Sequence, residues 1–203
     1  MDLAAHWPLT GQEALRGRLE TAYADPARGY HDRTHLAEVL TRLDELAGDQ
    51  PEPDRRLLRL AAWFHDAVYD AGGDLEERSA RLAEAELAAA GLPPAEVAEV
   101  ARLVRLTAGH RPADDDRLGG LLCDADLAIL AAGPQRYADY VAGVRREHAD
   151  VPEAAFRAGR AAVLRDLAAK PTLFHTARAR ELWEQPARAN LERELTLLEG
   201  RRR

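Results

Sequence analysis

Apolar residues recur at three- and four-residue intervals along most of the chain, the spacing that lines one face of a helix. Thr10 with Glu13 has the form of a capping box, and Leu15, Leu19 and Ala22 or Tyr23 supply the stripe of a first helix closed by Pro26 and Gly29. A second stripe, Leu36, Val39, Leu40, Leu43 and Leu46 or Ala47, stops at Gly48 and carries His35 in its first turn. Pro53 and Asp54 open a third over Leu57 to Val68, apolar enough to be the central buried helix, ending near Asp70 and Gly72-Gly73. Further helices are predicted over about 74–90, from Pro93-Pro94 through Val104 toward His110, and over about 118–130, 135–149, 152–169 and 174–198. Pro186 predicts a break or kink in the last.

Ala, Leu, Arg and Glu dominate and strand-favouring runs are nearly absent, so the fold class is all-α. With 203 residues, the chain reads as a single domain over 1–203, with a motif-bearing core at about 11–150 and a C-terminal helical extension at about 151–199. A net charge of −7 argues against dedicated nucleic-acid binding, which needs clustered positive charge. The Arg201 to Arg203 run reads as an exposed tail. Cys123 stands alone, so no intrachain disulfide forms and a reducing compartment suits the chain. The first residues lack a basic segment leading into an apolar run, and no apolar stretch approaches membrane-spanning length. A soluble, cytoplasmic protein without a membrane partner is the expectation. The last helix and the alanine-rich faces offer surfaces for oligomerisation.

The most informative fragment is AAWFHDAVYD, residues 61–70, which sets His65-Asp66 inside the most apolar helix. A buried carboxylate is costly unless paired, hydrogen-bonded or metal-bound. Asp66 capping a neighbouring helix beside a core histidine would also satisfy it, so the pair needs partners. One set lies in YHDRTH, residues 30–35, where His31 and His35 share a face if the turn is helical. Another lies in CDADLAIL, residues 123–130, with Asp124 and Asp126. Imidazoles with carboxylates suit one divalent transition metal, Mn²⁺, Fe²⁺, Co²⁺, Ni²⁺ or Zn²⁺, whereas an all-oxygen set would suit Mg²⁺.

His35, then His65-Asp66 thirty residues later, then Asp126 sixty beyond Asp66, resemble the H…HD…D signature of the HD superfamily of metal-dependent phosphohydrolases. The segments YHDRTHL, AAWFHDAVYD, EERSA, LTAGH and CDADLAILA, with Tyr137, Tyr140 and VRREH, are similar to a small stand-alone family of predicted HD-superfamily hydrolases, from about residue 11 to 199. The resemblance implies a helical bundle with one metal held by His35, His65, Asp66 and Asp126. It implies a hydrolase acting on a small phosphorylated molecule, nucleotides among the candidates, through metal-activated water.

Asp70, four residues after Asp66 and expected on the same helix face, is the leading candidate to orient water or move a proton. It resembles the second acid of the HDxxED pattern in hydrolases of guanosine alarmones, but Tyr69 replaces the glutamate, which counts against that substrate. His31 and His110 are candidates for phosphate contact or acid catalysis. His110 is the only histidine between Asp66 and Asp126, which favours one tight ion over two. Glu77, with Glu76 and Ser79, resembles an acidic-serine element near the pocket. Arg33, Arg111, Arg145 and Arg146 are candidate phosphate contacts, and Tyr30, Tyr69, Tyr137 and Tyr140 candidate walls of a base-binding cleft, although ion pairs and packing explain each as well. His148 and His175 fall outside the constellation. P-loop, dinucleotide, serine-hydrolase, zincin and paired-cysteine motifs are absent. Three other readings compete: a nucleotide- or metal-sensing module that binds without product formation, a helical interaction protein without tight metal, and a metal-dependent oxygenase requiring O₂.

Overall fold

Helices alone build the regular structure of the computed structural model, whose described residues are 2–70 and 72–200; no strand occurs among them. The order is α1 (Glu13–Tyr23), α2 (Arg33–Leu46), α3 (Glu52–Phe64), α4 (Leu75–Ala89), α5 (Pro94–Leu106), α6 (Arg117–Leu127), α7 (Pro134–Glu147), α8 (Glu153–Ala169) and α9 (Ala177–Leu198). Short 3-10 turns cover Leu3–His6 and Ala128–Ala131. The Arg201 to Arg203 run lies outside the described residues.

Helices α2, α3, α5 and α6 pack around Leu36, Leu40, Leu58, Leu60, Trp63, Phe64, Leu103 and Leu122, all fully buried. Removing Trp63 or Phe64 from such surroundings costs about 3–5 kcal/mol. The buried stripe continues through Tyr23 of α1, Leu87 of α4, Leu164 of α8 and Leu191 of α9, so one apolar cluster joins all these elements. Among the described residues no helix is long and apolar enough to cross a membrane.

Several helix ends differ from the sequence expectation. Gly11 turns the chain with φ +78°, which leaves Thr10 outside α1; Glu13 instead accepts from the Gly11 amide, and Gln12 precedes the helix. Helix α3 stops at Phe64, so the HD pair sits on a tight turn after the helix. Asp66 and Asp70 therefore share no helix face. His31 likewise lies before α2, whose N-terminus Asp32 caps by accepting from the Thr34 and His35 amides at 2.7 and 3.2 Å. Helix α9 runs uninterrupted through Pro186.

The extension is fastened to the body by polar contacts. Asn190 Nδ2 donates to the Leu130 and Ala132 carbonyls at 2.8 and 2.9 Å. Buried Glu194 accepts from Arg160 of α8 and from the Tyr137 hydroxyl of α7. Fully buried Asp124 accepts from the His175 and Thr176 amides, both at 2.7 Å, at the start of α9.

Helix α7 approaches the 28–32 loop at a glycine pair. A Cβ on Gly143 would stand 2.5 Å from the Gly29 carbonyl oxygen, and one on Gly29 would stand 2.2 Å from the Gly143 oxygen. Only hydrogen at both positions permits this contact. Gly143→Ala should lower unfolding stability by about 1–3 kcal/mol, measured by urea denaturation. Gly159→Ala, at an α8 glycine with no atom within 4 Å, is the matched control and should be neutral or stabilising.

Candidate metal centre

The centre is assembled from three backbone settings. Asp32 caps α2 one residue before it begins and so fixes the first turn that carries His35. His65 closes α3 in helical geometry, and Asp66 follows on the turn. Asp126 lies near the end of α6, two residues after Asp124. Two residues turn a helix by about 200°, so one aspartate faces the extension and the other faces His35 and His65.

His35 Nε2 and His65 Nε2 stand 3.0 Å apart. Asp66 Oδ2 lies 3.3 and 3.0 Å from these two nitrogens, and Asp126 Oδ1 lies 3.2 and 3.7 Å from them. Donor atoms sharing one ion at about 2.1 Å are separated by about 3.0–3.4 Å; the donor atoms of His35, His65 and Asp126 all lie within 4.8 Å of one another and could hold a divalent ion, with Asp66 beside both imidazoles. His65 Nδ1 donates to the Ala62 carbonyl at 2.7 Å, which leaves the Nε2 lone pair aimed at the cluster. Asp126 Oδ2 is held by His110 Nε2 at 2.7 Å. His110 reaches it from a left-handed residue, φ +49°, just beyond α5.

Charge balances inside the cluster. Burial works against the His35 imidazolium, but hydrogen bonds and charge from Asp126 and Asp66 outweigh it and hold its pKa up at about 10. Burial likewise opposes ionisation of Asp66 and Asp126, yet the surrounding imidazoles hold both carboxyls well below the usual range. Residues 33–129 match the family model described as HD domain. The chain carries an HD domain. No curated protein and no solved structure was matched. The HD-domain stretch contains His35, His65, Asp66, His110 and Asp126, whereas His31 and everything from α7 onward lie outside it.

His31 Nδ1 stands 2.8 Å from Glu147 Oε2, at the end of α7. Glu147 Oε1 accepts from the Tyr30 and His31 amides, both at 2.8 Å, and Tyr69 donates its hydroxyl to Oε2 at 3.0 Å while stacking on the His31 ring. Although burial opposes it, these donors hold the Glu147 carboxyl down at about 2. His31 therefore donates its Nδ1–H to Glu147, and Nε2 is the ring nitrogen turned away from that pair.

Two candidates are not brought to the HD-domain centre. Asp70, half exposed, makes a two-pronged pair with Arg78 at 2.6 and 2.7 Å and accepts from the Gly72 amide, because the chain has turned away after Asp66. Glu77 is engaged by Arg81 and Arg105 on the outer side of α4. Ser79 instead binds the backbone of Val68 behind the HD turn. Arg33 faces Glu20, Arg145 pairs with Glu153, and Arg146 donates to the Gly29 carbonyl; of the four arginines singled out, Arg111 alone lines the cavity at the centre. Tyr30 and Tyr140 line it too, whereas Tyr137 is committed to Glu194. His148 packs on Phe156.

Arg28 and Glu147 escaped the sequence reading. Buried Arg28 donates to the carbonyls of His31, Asp66 and Ala67 at 2.9, 2.7 and 3.0 Å, clamping the HD turn to the His31 loop. Glu147 carried one usable signal, its place in VRREH; Arg28 carried none beyond its type.

Titration calorimetry with Mn²⁺ should give one ion per chain with net proton uptake by the buffer, because His35 must lose its proton to bind, and affinity should fall as pH is lowered. His110→Ala should weaken binding roughly 10- to 100-fold by freeing Asp126. Glu147 titrates below the ordinary glutamate value, so its stabilisation, on the order of 2 kcal/mol, is complete above about pH 4.5 and lost as pH falls toward 2. Urea denaturation should accordingly show Glu147→Gln less stable than wild type at pH 6, with the gap closing below pH 4.5.

Proposed function

We propose that this chain is a divalent-metal-dependent phosphohydrolase acting on a small phosphorylated molecule. The observation that carries the reading is the opening of the histidine-aspartate cluster, through Asp126, onto a cavity of about 710 Å³ that also receives His31, His110, Arg111, Arg160 and Lys170. That volume suits a metabolite-sized ligand.

When bound, a divalent ion polarises a phosphoryl oxygen and lowers the pKa of an attached water. The chain's residues divide the remaining work. His35, His65, Asp66 and Asp126 hold the ion, and His110 keeps Asp126 turned toward it. His31 accepts at Nε2 the proton lost by the attacking water, while ionised Glu147 stabilises the imidazolium from the Nδ1 side. Buried Tyr30 carries a hydroxyl with no partner, which is left to donate to a phosphoryl oxygen. Asp70 and Glu77, tied up in surface ion pairs, take no part.

Phosphate release across a panel of nucleotides and small phosphoesters tests this, with Mn²⁺, Co²⁺, Ni²⁺, Zn²⁺ or Mg²⁺ supplied. Wild type should turn over at least one compound, Asp66→Asn should abolish metal-dependent release, and His31→Asn should lower kcat by roughly 10²- to 10⁴-fold. Asp70→Asn should leave kcat within about twofold, as expected of a surface group. Silence across the panel from folded, metal-loaded wild type would overturn the reading and favour ligand sensing.

A further inference from the structure

The cavity has two walls of different origin. One is the HD-domain side with Asp126 and His110. The other is the extension, which contributes Arg160, Val163, Asp166, Leu167 and Lys170. Lys170 is the single lysine of the chain, whose 28 basic residues are otherwise all arginine. It is half-buried just after α8, where Nζ donates to the His110 carbonyl at 3.0 Å and more loosely to the Gly109 carbonyl at 3.4 Å. No carboxylate lies within 4.0 Å of this ammonium among the described residues. The nearby Asp166 is committed to Arg111, at 3.0 and 3.1 Å, and Arg160 is committed to Glu194. Lys170 is thus the cationic group of the cavity that makes no direct ion pair among the described residues, its ammonium being held by two carbonyls while Asp166 turns to Arg111.

Its position relative to the centre is set by one residue. His110 receives Lys170 at its carbonyl and meets Asp126 at its Nε2, so a single histidine spans the two sites. The ammonium and the carboxylate of the centre thus face one cavity from opposite ends of His110. Apolar Val163, Leu167 and Ile129 line the cavity as well.

Resting on the phosphohydrolase reading, we propose that Lys170 forms a subsite for a second anionic group, so that the substrate is a small organic phosphate carrying a further phosphate or carboxylate. The extension, lying outside the HD-domain match, sets this selectivity. A phosphomonoester with a neutral tail fills the same cavity and leaves the lysine without a direct ion pair. An ammonium-to-anion hydrogen bond is worth roughly tenfold in affinity or more.

Matched probes read this on the metal-loaded full chain by calorimetry: glycerol 3-phosphate against 3-phosphoglycerate for a carboxylate, and fructose 6-phosphate against fructose 1,6-bisphosphate for a phosphate. At least one doubly anionic probe should bind wild type roughly tenfold tighter than its partner, and Lys170→Met should reduce that preference to about threefold or less. Because Lys170 is the only lysine, reductive methylation followed by peptide mass analysis reports its occupancy without any turnover, and the preferred probe should protect it in wild type. Protection and preference without phosphate release would sustain the subsite and sink the hydrolase reading. Metal-dependent release with no preference in either pair would do the reverse. The subsite is also overturned if Lys170→Met weakens both members of a pair equally, the result of a purely structural lysine, or if neither doubly anionic probe protects Lys170 at millimolar concentration.

Discussion

Two buried imidazoles meeting two largely buried carboxylates is the constraint on which the rest of the centre depends. Each carboxylate is desolvated at a cost that only the opposing ring nitrogens offset, and deleting one partner leaves its neighbour charged, buried and unpaired. The backbone is built to hold that meeting. Asp32 fixes the turn beneath His35, the Ala62 carbonyl selects the tautomer of His65, and His110 grips the outer oxygen of Asp126. Arg28 fastens the HD turn to the His31 loop through three carbonyls. Among the described residues no acid pairs with Arg28 in that clamp; the rings of Tyr23 and Tyr69 flank its guanidinium at 4.9 and 5.5 Å.

Much of this was legible in the sequence, and the reasons are local. Helical periodicity depends on neighbours three and four apart, so the stripes of α2 and α5 could be read directly. The order His35, His65-Asp66, Asp126 could be read because a buried carboxylate beside a histidine calls for particular partner side chains. What escaped depends on contacts between distant segments. Asp66 and Asp70 look like a helical pair until α3 ends at Phe64. After that the chain carries Asp70 to Arg78. Glu147 is one acid among many until the Gly29 and Gly143 contact brings α7 against the His31 loop. Residue type alone left Asp124 and Asp126 equivalent as partners for the HD pair; the family resemblance pointed to Asp126, and the rotation of α6 gives the two their separate tasks.

That rotation gives one helix two obligations. Through Asp126 it serves the centre, and through Asp124 it terminates the loop that leads into α9. Burial pushes the Asp124 carboxyl up while the Thr176 and His175 amides pull against it, so its ionised form relies on those two donors. A chain cut after α7 would retain every proposed metal donor, together with His31 and Glu147. It would nonetheless strip Asp124 of both amides and uncover the side of α6 that the start of α9 covers, the same helix that positions Asp126. The extension and the core are therefore joined through α6, and the boundary of the family match at residue 129 does not mark a boundary in the packing.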